Sequence, residues 1–430
     1  MESRRLRRRV LRWTARMMIA WLAVLAFLMQ PGSTEAASRK EVERQFAAWR
    51  EALWPEAKTA GVSRATFDAA FRSVNLDWSL PDLVPPGQSE KRDGKAVSQA
   101  EFGSPGRYFA PNGINILVNR GRAMAEQWRQ QLAAIERRYG VPHQILIAIW
   151  AKETAFGSAR IPHDAMTALA TQAFMGRRTD FFRPQVIAAL KLLEERHVSR
   201  GALKSSWAGA MGHIQMLPTH VLQYGVDFDG DGRRDIWTTV PDALATAANF
   251  LKQSGWRPGH GWGYEVVPPA EADCTHEGPH QGRPYAEWIE LGYKRTRGRA
   301  FPPAMLKQRG HLLQPAGRHG PSFLVTGNFY VLKAYNESDL YALYVGHLAD
   351  RLADNRGFET AWGEVPTYTR GAVKDLQQTL LRHGYNVGDT VDGLIGFRTR
   401  IAVGQFQRKR GLAVDCWPGP KTMARARQEG

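Results

Sequence analysis

The sequence predicts a mainly α-helical protein of more than one domain, and three observations carry that expectation. Apolar residues recur at helical spacing in most of the patterned segments, strand signals are scarce, and the pattern changes abruptly near Gly363. A chain of 430 residues has room for two or three domains of ~150 residues. Hydrophobic residues make up 43% of it and 14 Trp, 18 Phe and 12 Tyr are present, enough apolar surface to exclude a disordered chain. Two cysteines, Cys274 and Cys416, exclude a disulfide scaffold. The formal net charge is +17; seven Arg and two Glu in the first 37 residues account for 7 − 2 = +5 of it, leaving 17 − 5 = +12 on the remainder. Such a surface suits an anionic polymer, either nucleic acid or an anionic cell wall.

The N-terminus favours the second. Arginines from Arg4 to Arg16 form a basic head, and Met17 to Met29 is an apolar run too short to span a bilayer comfortably. Pro31, Gly32 and small residues up to Ala37 then offer a cleavage site, so residues 1–37 read as an export signal removed in the mature chain. An uncleaved signal anchor is the alternative. Ser3-Arg4-Arg5 is only a weak match to a twin-arginine signal. With no cysteine near the cleavage region a lipoprotein is not expected. The expected location is the periplasm, which argues against a nucleic-acid partner.

Residues 38–75 read as helical, with Val42, Phe46, Trp49, Leu53 and Trp54 at helical spacing. Residues 79–105 read as a long Pro-, Gly- and charge-rich loop. Helical patterning returns from Asn112 to Arg138 and breaks at Tyr139-Gly140-Val141-Pro142. Gln144–Phe156 reads as a buried helix with Gly157 as its C′ residue. Residues 181–197 and 241–253 read as amphipathic helices, and 329–356 as strongly helical. Residues 256–325 are Gly-, Pro- and His-rich with no clear period. Residues 363–369 read as an exposed linker, and 370–427 as a separate basic domain of three short helices.

Three stretches carry chemistry. In the first, Glu153 is the single carboxylate in the last turn of an apolar helix, one turn after Ile149 and Trp150. Desolvation and the negative end of the helix dipole both favour its protonated form, as a proton donor to a glycosidic oxygen requires. A helix-end Glu facing solvent is the plain alternative. In the second, Ser205-Ser206-Trp207 leads through Ala208, Gly209, Ala210 and Gly212 to Gln215, small residues that permit close backbone approach beside a side chain that both donates and accepts. Alone, this fits a tight helix–helix contact equally well. In the third, Asp227, Asp229, Asp231 and Asp235 occupy positions 1, 3, 5 and 9 of an EF-hand-like loop with Gly232 at position 6. Thr238 stands where a bidentate Glu belongs, and Asp242 can replace it if the loop is longer than usual. An Asp/Gly turn cluster without metal is the alternative.

Together these stretches resemble the B-type family of lytic murein transglycosylases, goose-lysozyme-like enzymes of the bacterial envelope. The residues that carry the resemblance are Glu153-Thr154 with Phe156-Gly157, Leu169 to Phe174, Arg177-Arg178, Phe181-Phe182, Ser206 to Gln215, the Asp227–Trp237 loop, and Asn328-Phe329-Tyr330-Val331 with Tyr335-Asn336. It covers residues 40 to 360, and the tail resembles the three-helix peptidoglycan-binding domain often appended to such enzymes. The resemblance implies a lysozyme-like catalytic region at 38–362, with its core at 112–260 and 320–360 and the metal loop at 227–242. It implies Glu153 as sole catalytic acid and base, and Ser206, Gln215, Phe250, Tyr335, Asn336 and Tyr341 along the glycan cleft. For calcium it implies Asp227, Asp229, Asp231, the Arg233 carbonyl and Asp242. Phe250 stands where the family often has a cleft Tyr, Met216-Leu217-Pro218 where it has Phe-Met-Pro, and His213 between Gly212 and Gln215 is unusual.

The function so implied is an exported, monomeric lytic transglycosylase that cleaves the MurNAc-β-1,4-GlcNAc bond of peptidoglycan and leaves 1,6-anhydro-MurNAc ends. A hydrolytic muramidase using Asp164 or Asp180 to activate water is one alternative, and a non-catalytic wall-binding scaffold is another. Both cysteines are expected to be free. They fall in different domains, and a bond would need their Cα atoms within ~7 Å across what reads as a hinge.

Overall fold

The computed structural model describes residues 38–88 and 104–430; the expected export signal at 1–37 and part of the loop expected at 79–105 lie outside them. The N-terminal stretch is two helices, α1 (Arg39–Thr59) and α2 (Arg64–Phe71). Each is started by a serine, Ser38 or Ser63, whose side chain accepts from the N–H three residues on. The pattern from Asn112 to Arg138 is split at Trp128 into α3 (Pro111–Gln127) and α4 (Arg129–Tyr139). Then follow α5 (His143–Thr154), α6 (Ala165–Met175), α7 (Thr179–Glu194), α8 (Pro218–Tyr224) and α9 (Val240–Gln253). The stretch 329–356 is also two helices, α10 (Gly327–Tyr335) and α11 (Asp339–Asp354), parted where Asn336 turns to extended backbone.

The core is organised around α5. Every residue from Ile145 to Ala151 is buried, as expected of a helix that is apolar on all sides. It packs against α3, α4, α9 and α11. Leu146 and Ile147 are fully enclosed, so truncating either to Ala would cost about 2–5 kcal/mol. This packing fixes the end of α5, and with it the position of Glu153.

Residues 256–325, which showed no period in the sequence, build a five-stranded antiparallel sheet. Its strands are β1 (Gly263–Val267), β2 (Arg283–Pro284), β3 (Lys294–Arg295), β4 (Arg309–Leu313) and β5 (Ser322–Val325), in the order β2-β4-β5-β1-β3. Gly263 pairs with Val325 and Leu313 with Phe323. Strands of two to five residues are too short for alternation to repeat, which is why the sequence shows none. Tyr285, Trp288, Tyr293 and Phe301 form a separate small core beneath the sheet. The Tyr285 hydroxyl donates to the Leu324 carbonyl at 2.9 Å and the Trp288 indole to the Gly310 carbonyl at 2.9 Å, so neither polar group is buried without a partner.

The tail is three helices, α12 (Arg370–Arg382), α13 (Phe397–Lys409) and α14 (Pro420–Gln428), around Leu376, Leu380, Phe406 and Met423. Its attachment differs from the sequence-based expectation. Cys274 and Cys416 are joined in a disulfide with Cα atoms 6.1 Å apart, which corrects the expectation of two free thiols. Separation along the sequence said nothing about separation in space, because α13 docks directly against the short turn at Cys274–His276. Gly404 on α13 makes room for the bond: a Cβ there would lie 2.4 Å from the Cys416 sulfur. Residues 363–369 are likewise tied down. The Gly363 N–H donates to the His319 carbonyl at 2.6 Å, Val365 is buried, and the Trp417 indole reaches the Pro366 carbonyl at 3.4 Å. Among the described residues no helix is long and apolar enough to cross a membrane.

Candidate active site

Glu153 lies half-buried on the last turn of α5, but that helix stops earlier than the sequence suggests. It ends at Thr154, and Ala155, Phe156 and Gly157 follow with φ of 46°, 60° and 77°. Two non-glycine residues in the left-handed region cost about 1–3 kcal/mol each, strain of a kind that clusters at functional sites. Local bonds hold the turn: Ala155 N–H to the Ala151 carbonyl at 3.0 Å and Gly157 N–H to Thr154 Oγ1 at 3.0 Å. Gly157 is required there for a reason other than helix capping. A Cβ would meet the His213 ring at 2.4 Å.

His213, unexplained by the sequence, thereby gains a role. Its Nδ1 accepts from the Trp150 indole N–H at 3.1 Å, and its carbonyl accepts from Thr154 Oγ1 at 2.7 Å. Burial holds its pKa below the ordinary value, which keeps the ring neutral and able to accept. The end of α5 is thus bonded to the loop that carries Gln215.

That loop, residues 205–216, is a set of tight turns and not the helix–helix contact its small residues also fitted. Ser206 Oγ accepts from the N–H groups of Ala208 and Ala210 at 3.3 and 3.2 Å, and Met211 pairs with Met216. Gln215 sits at a left-handed φ of 48°, with its side-chain nitrogen donating to the Gly212 carbonyl at 3.0 Å.

Tyr335 at the end of α10 and Tyr341 in the first turn of α11 close the site. The Tyr341 hydroxyl donates to Glu153 Oε1, and the Tyr335 hydroxyl donates to the Ile214 carbonyl at 2.5 Å. Their rings lie parallel within 6°, with centroids 6.3 Å apart. Burial first, and the charge of Glu153 second, hold both hydroxyls well above the ordinary tyrosine pKa, so both remain donors. Asn336 is exposed beside Tyr335, its side-chain oxygen accepting from the Ser338 N–H at 3.0 Å. Phe250 was expected along the cleft. Only 4% exposed, it instead packs edge-on against Tyr335 at 5.4 Å and Tyr224 at 5.0 Å, so it supports a cleft ring and offers no surface of its own.

Neither alternative carboxylate is disposed to assist Glu153. Asp164 caps α6 through the Thr167 N–H at 2.9 Å and is gripped by both arms of Arg200. Burial pushes its pKa up, and Arg200 and Thr167 more than reverse this, leaving it below the ordinary value. Asp180 is exposed on the first turn of α7. Lys152, one position before Glu153 and pointing roughly 100° around the helix from it, extends its ammonium over the rings of Tyr108 and Tyr344 at 4.3 and 4.7 Å.

The acidic loop brings three of its expected ligands together: oxygens of Asp227, Asp229 and Asp242 lie within 4.8 Å of one another. Asp242 is buried and accepts from the N–H groups of Phe228 at 2.8 Å and Asp235 at 2.9 Å, so it is held in place from α9. Asp231 stays outside this trio, exposed, accepting from the Arg233 N–H at 2.8 Å. An all-oxygen, multiply anionic donor set fits a hard cation such as calcium. Arg233 donates a guanidinium N–H to the His197 carbonyl at 3.4 Å.

A carboxylate at the end of a buried helix, met by a tyrosine hydroxyl from a distant helix, places this helical body among the lysozyme-like glycan-cleaving proteins. Residues 45–350 match the transglycosylase SLT domain family and residues 369–425 the putative peptidoglycan binding domain family. The chain belongs to the first of these, the family of peptidoglycan lytic transglycosylases. Among solved structures it is similar to SltB3 from Pseudomonas aeruginosa in complex with NAG-anhNAM-pentapeptide, at 37% identity and a TM-score of 0.79 over 89% of this chain and 99% of that one. It is also similar to the Escherichia coli lytic transglycosylase Slt35 in complex with calcium, at 27% identity and a TM-score of 0.51 over 59% of this chain and 80% of that one. The membrane-bound lytic murein transglycosylase B of Escherichia coli (strain K12) is 30% identical over 243 residues, 53% of this chain and 62% of that relative.

Proposed function

We propose that this chain is an exported lytic transglycosylase that cleaves the MurNAc-β-1,4-GlcNAc bond of peptidoglycan with Glu153 as its only acid and base. The observation that carries the reading is the hydrogen bond from Tyr341 to Glu153. Glu153 passes its proton to the glycosidic oxygen as the C1–O bond breaks. The carboxylate it becomes is stabilised by the Tyr341 hydroxyl while the sugar carries oxocarbenium-like charge. The C6 hydroxyl of the same MurNAc then attacks C1 and returns its proton to Glu153. A 1,6-anhydro ring forms and no water is consumed. Ser206, Gln215, Tyr335 and Asn336 supply hydrogen bonds along the cleft.

Calcium, held by Asp227, Asp229 and Asp242, would neutralise three converging carboxylates and stiffen the loop between α8 and α9. The basic tail would hold the enzyme on the sacculus, and the basic, apolar N-terminus would direct export to the periplasm. The product of purified enzyme on sacculi tests the reading. Fragments one water lighter than hydrolysis products are expected, with none from Glu153→Gln. Fragments at the hydrolytic mass would establish the muramidase instead, and binding without fragments the scaffold.

A further inference from the structure

The tail does more than lean against the catalytic body, because one of its arginines is buried in it. Arg400 on α13 is 3% exposed at its side chain; the Ile395 carbonyl of the tail accepts from it at 3.0 Å, but both of its carboxylate partners come from outside the tail. Its Nε donates to Glu277 at 2.9 Å, and one terminal nitrogen, Nη2, donates to both Glu277 at 2.6 Å and Asp339 at 3.1 Å. Glu277 follows the turn that carries Cys274, so the ion cluster and the disulfide anchor the same two pieces of chain. Asp339 also accepts from Lys333 on α10 at 2.6 Å. Burial alone would push the Asp339 carboxyl up, but Lys333 and Arg400 hold it below its ordinary value.

Asp339 is the first residue of α11, and two residues on is Tyr341, the donor to Glu153. Its neighbour Ser338 caps α11 by accepting from the Tyr341 N–H at 3.3 Å. The segment from Asn336 to Tyr341 therefore has a fixed end on the tail and a catalytic contact at its other end. The same segment walls a cavity of about 540 Å³ whose opposite side is built from Val387–Arg400 of the tail. No part of this arrangement is needed for a domain that serves only as a tether.

We propose that Arg400 is a positioning residue for catalysis, fixing the start of α11 through Asp339 so that the Tyr341 hydroxyl meets Glu153. The peptidoglycan-binding tail is then a structural part of the active site. This rests on the proposed role of Glu153. A pure tether raises the local concentration of enzyme at the wall and leaves turnover of a short soluble glycan unchanged. A positioning contact acts on turnover itself, since a misplacement of about 1 Å in the reacting groups is felt in the rate even when its cause lies far from the chemistry.

The test is steady-state kinetics of the full chain on a soluble tetrasaccharide of alternating GlcNAc and MurNAc, comparing wild type with Arg400→Met. Free-thiol counting verifies that the disulfide is intact, and circular dichroism that the fold is kept. The expected result is a kcat lower by roughly tenfold or more with KM little changed, together with a shift in the acidic limb of the pH profile. If the loss of the cation between Glu277 and Asp339 prevents Arg400→Met from folding, the neutralised triple variant Arg400→Met/Glu277→Gln/Asp339→Asn replaces it with the same expectation. Wild-type kcat and pH profile in a folded variant would overturn the proposal and leave the tail as a tether. Activity in Glu153→Gln is a separate failure, one that overturns the mechanism and not merely this coupling.

Discussion

The Tyr341 hydroxyl donates to the Glu153 carboxylate across 188 residues of sequence, joining the end of α5 to the start of α11. A donor buried beside the only proposed acid stabilises that acid in its ionised form, the state it must pass through after giving up its proton. Tyr341→Phe should therefore lower kcat by roughly 10- to 100-fold, the equivalent of ~1.5–3 kcal/mol for a hydrogen bond to a charged group. The melting temperature should change little, because the ring and its packing remain. Unaltered turnover of a soluble glycan by Tyr341→Phe would show that the bond plays no part in the chemistry.

Three carboxylates whose oxygens converge within 4.8 Å repel one another until a cation joins them. Calcium should raise the melting temperature, in proportion to RT ln(1 + [Ca]/Kd), or about 2.7 kcal/mol at a hundredfold excess over Kd. Asp242→Asn should abolish the response, since that residue closes the trio from α9. A calcium titration that leaves both proteins unmoved would dismiss the metal.

The bond between Cys274 and Cys416 closes a loop of 142 residues. Thiol titration of the denatured, unreduced protein should find no free thiol. Cys416→Ser should lower stability by about 2–5 kcal/mol in urea unfolding, chiefly by releasing the denatured chain. Two free thiols per chain in protein prepared from an oxidising compartment would contradict the staple.

His347 on α11 is stacked on Phe358 with ring centroids 3.9 Å apart, and burial pushes its pKa down to about 3. The unfolded chain takes up this proton near pH 6.5 and the native state does not until about pH 3. The contribution is thus complete above pH 6.5 and is lost below it at ~1.4 kcal/mol per pH unit, or ~2 kcal/mol by pH 5. Asp350, one turn on, acts with the opposite sign: burial raises its pKa to about 6, so the native state takes up that proton before the unfolded chain does. The difference between wild type and His347→Gln isolates the first effect. Wild type should lose ~2 kcal/mol relative to the variant between pH 7 and pH 5. Parallel pH dependence of the two proteins would rule it out.

Much of the catalytic body was legible in the sequence because its determinants are local. An apolar run with one carboxylate at its end reads as α5 and Glu153, since burial on all sides leaves no other use for seven successive apolar or small residues from Ile145 to Ala151. The alternation of Asp and Gly from Asp227 to Asp235 reads as an oxygen-ligand loop because the turn chemistry and the donors are the same residues. The sheet was not legible, because two- to five-residue strands lack the length to display a period. His213 carried no signal either: its partner Trp150 is 63 positions away and meets it only once α5 and the 205–216 loop are packed.

By itself the sequence determined most of the helices, the candidate acid, the acidic loop and the presence of a three-helix tail, all of which follow from the side chains of contiguous residues. Only the tertiary structure decided that Phe250 supports Tyr335, that Asp231 stands outside the carboxylate trio, and that the tail is fastened to the body. Two cysteines 142 residues apart and an arginine 61 residues beyond its aspartate have no periodicity and no motif. Their pairing is set by how whole domains dock. Such docking depends on the shape and charge of complete surfaces, which exist only after each domain has folded.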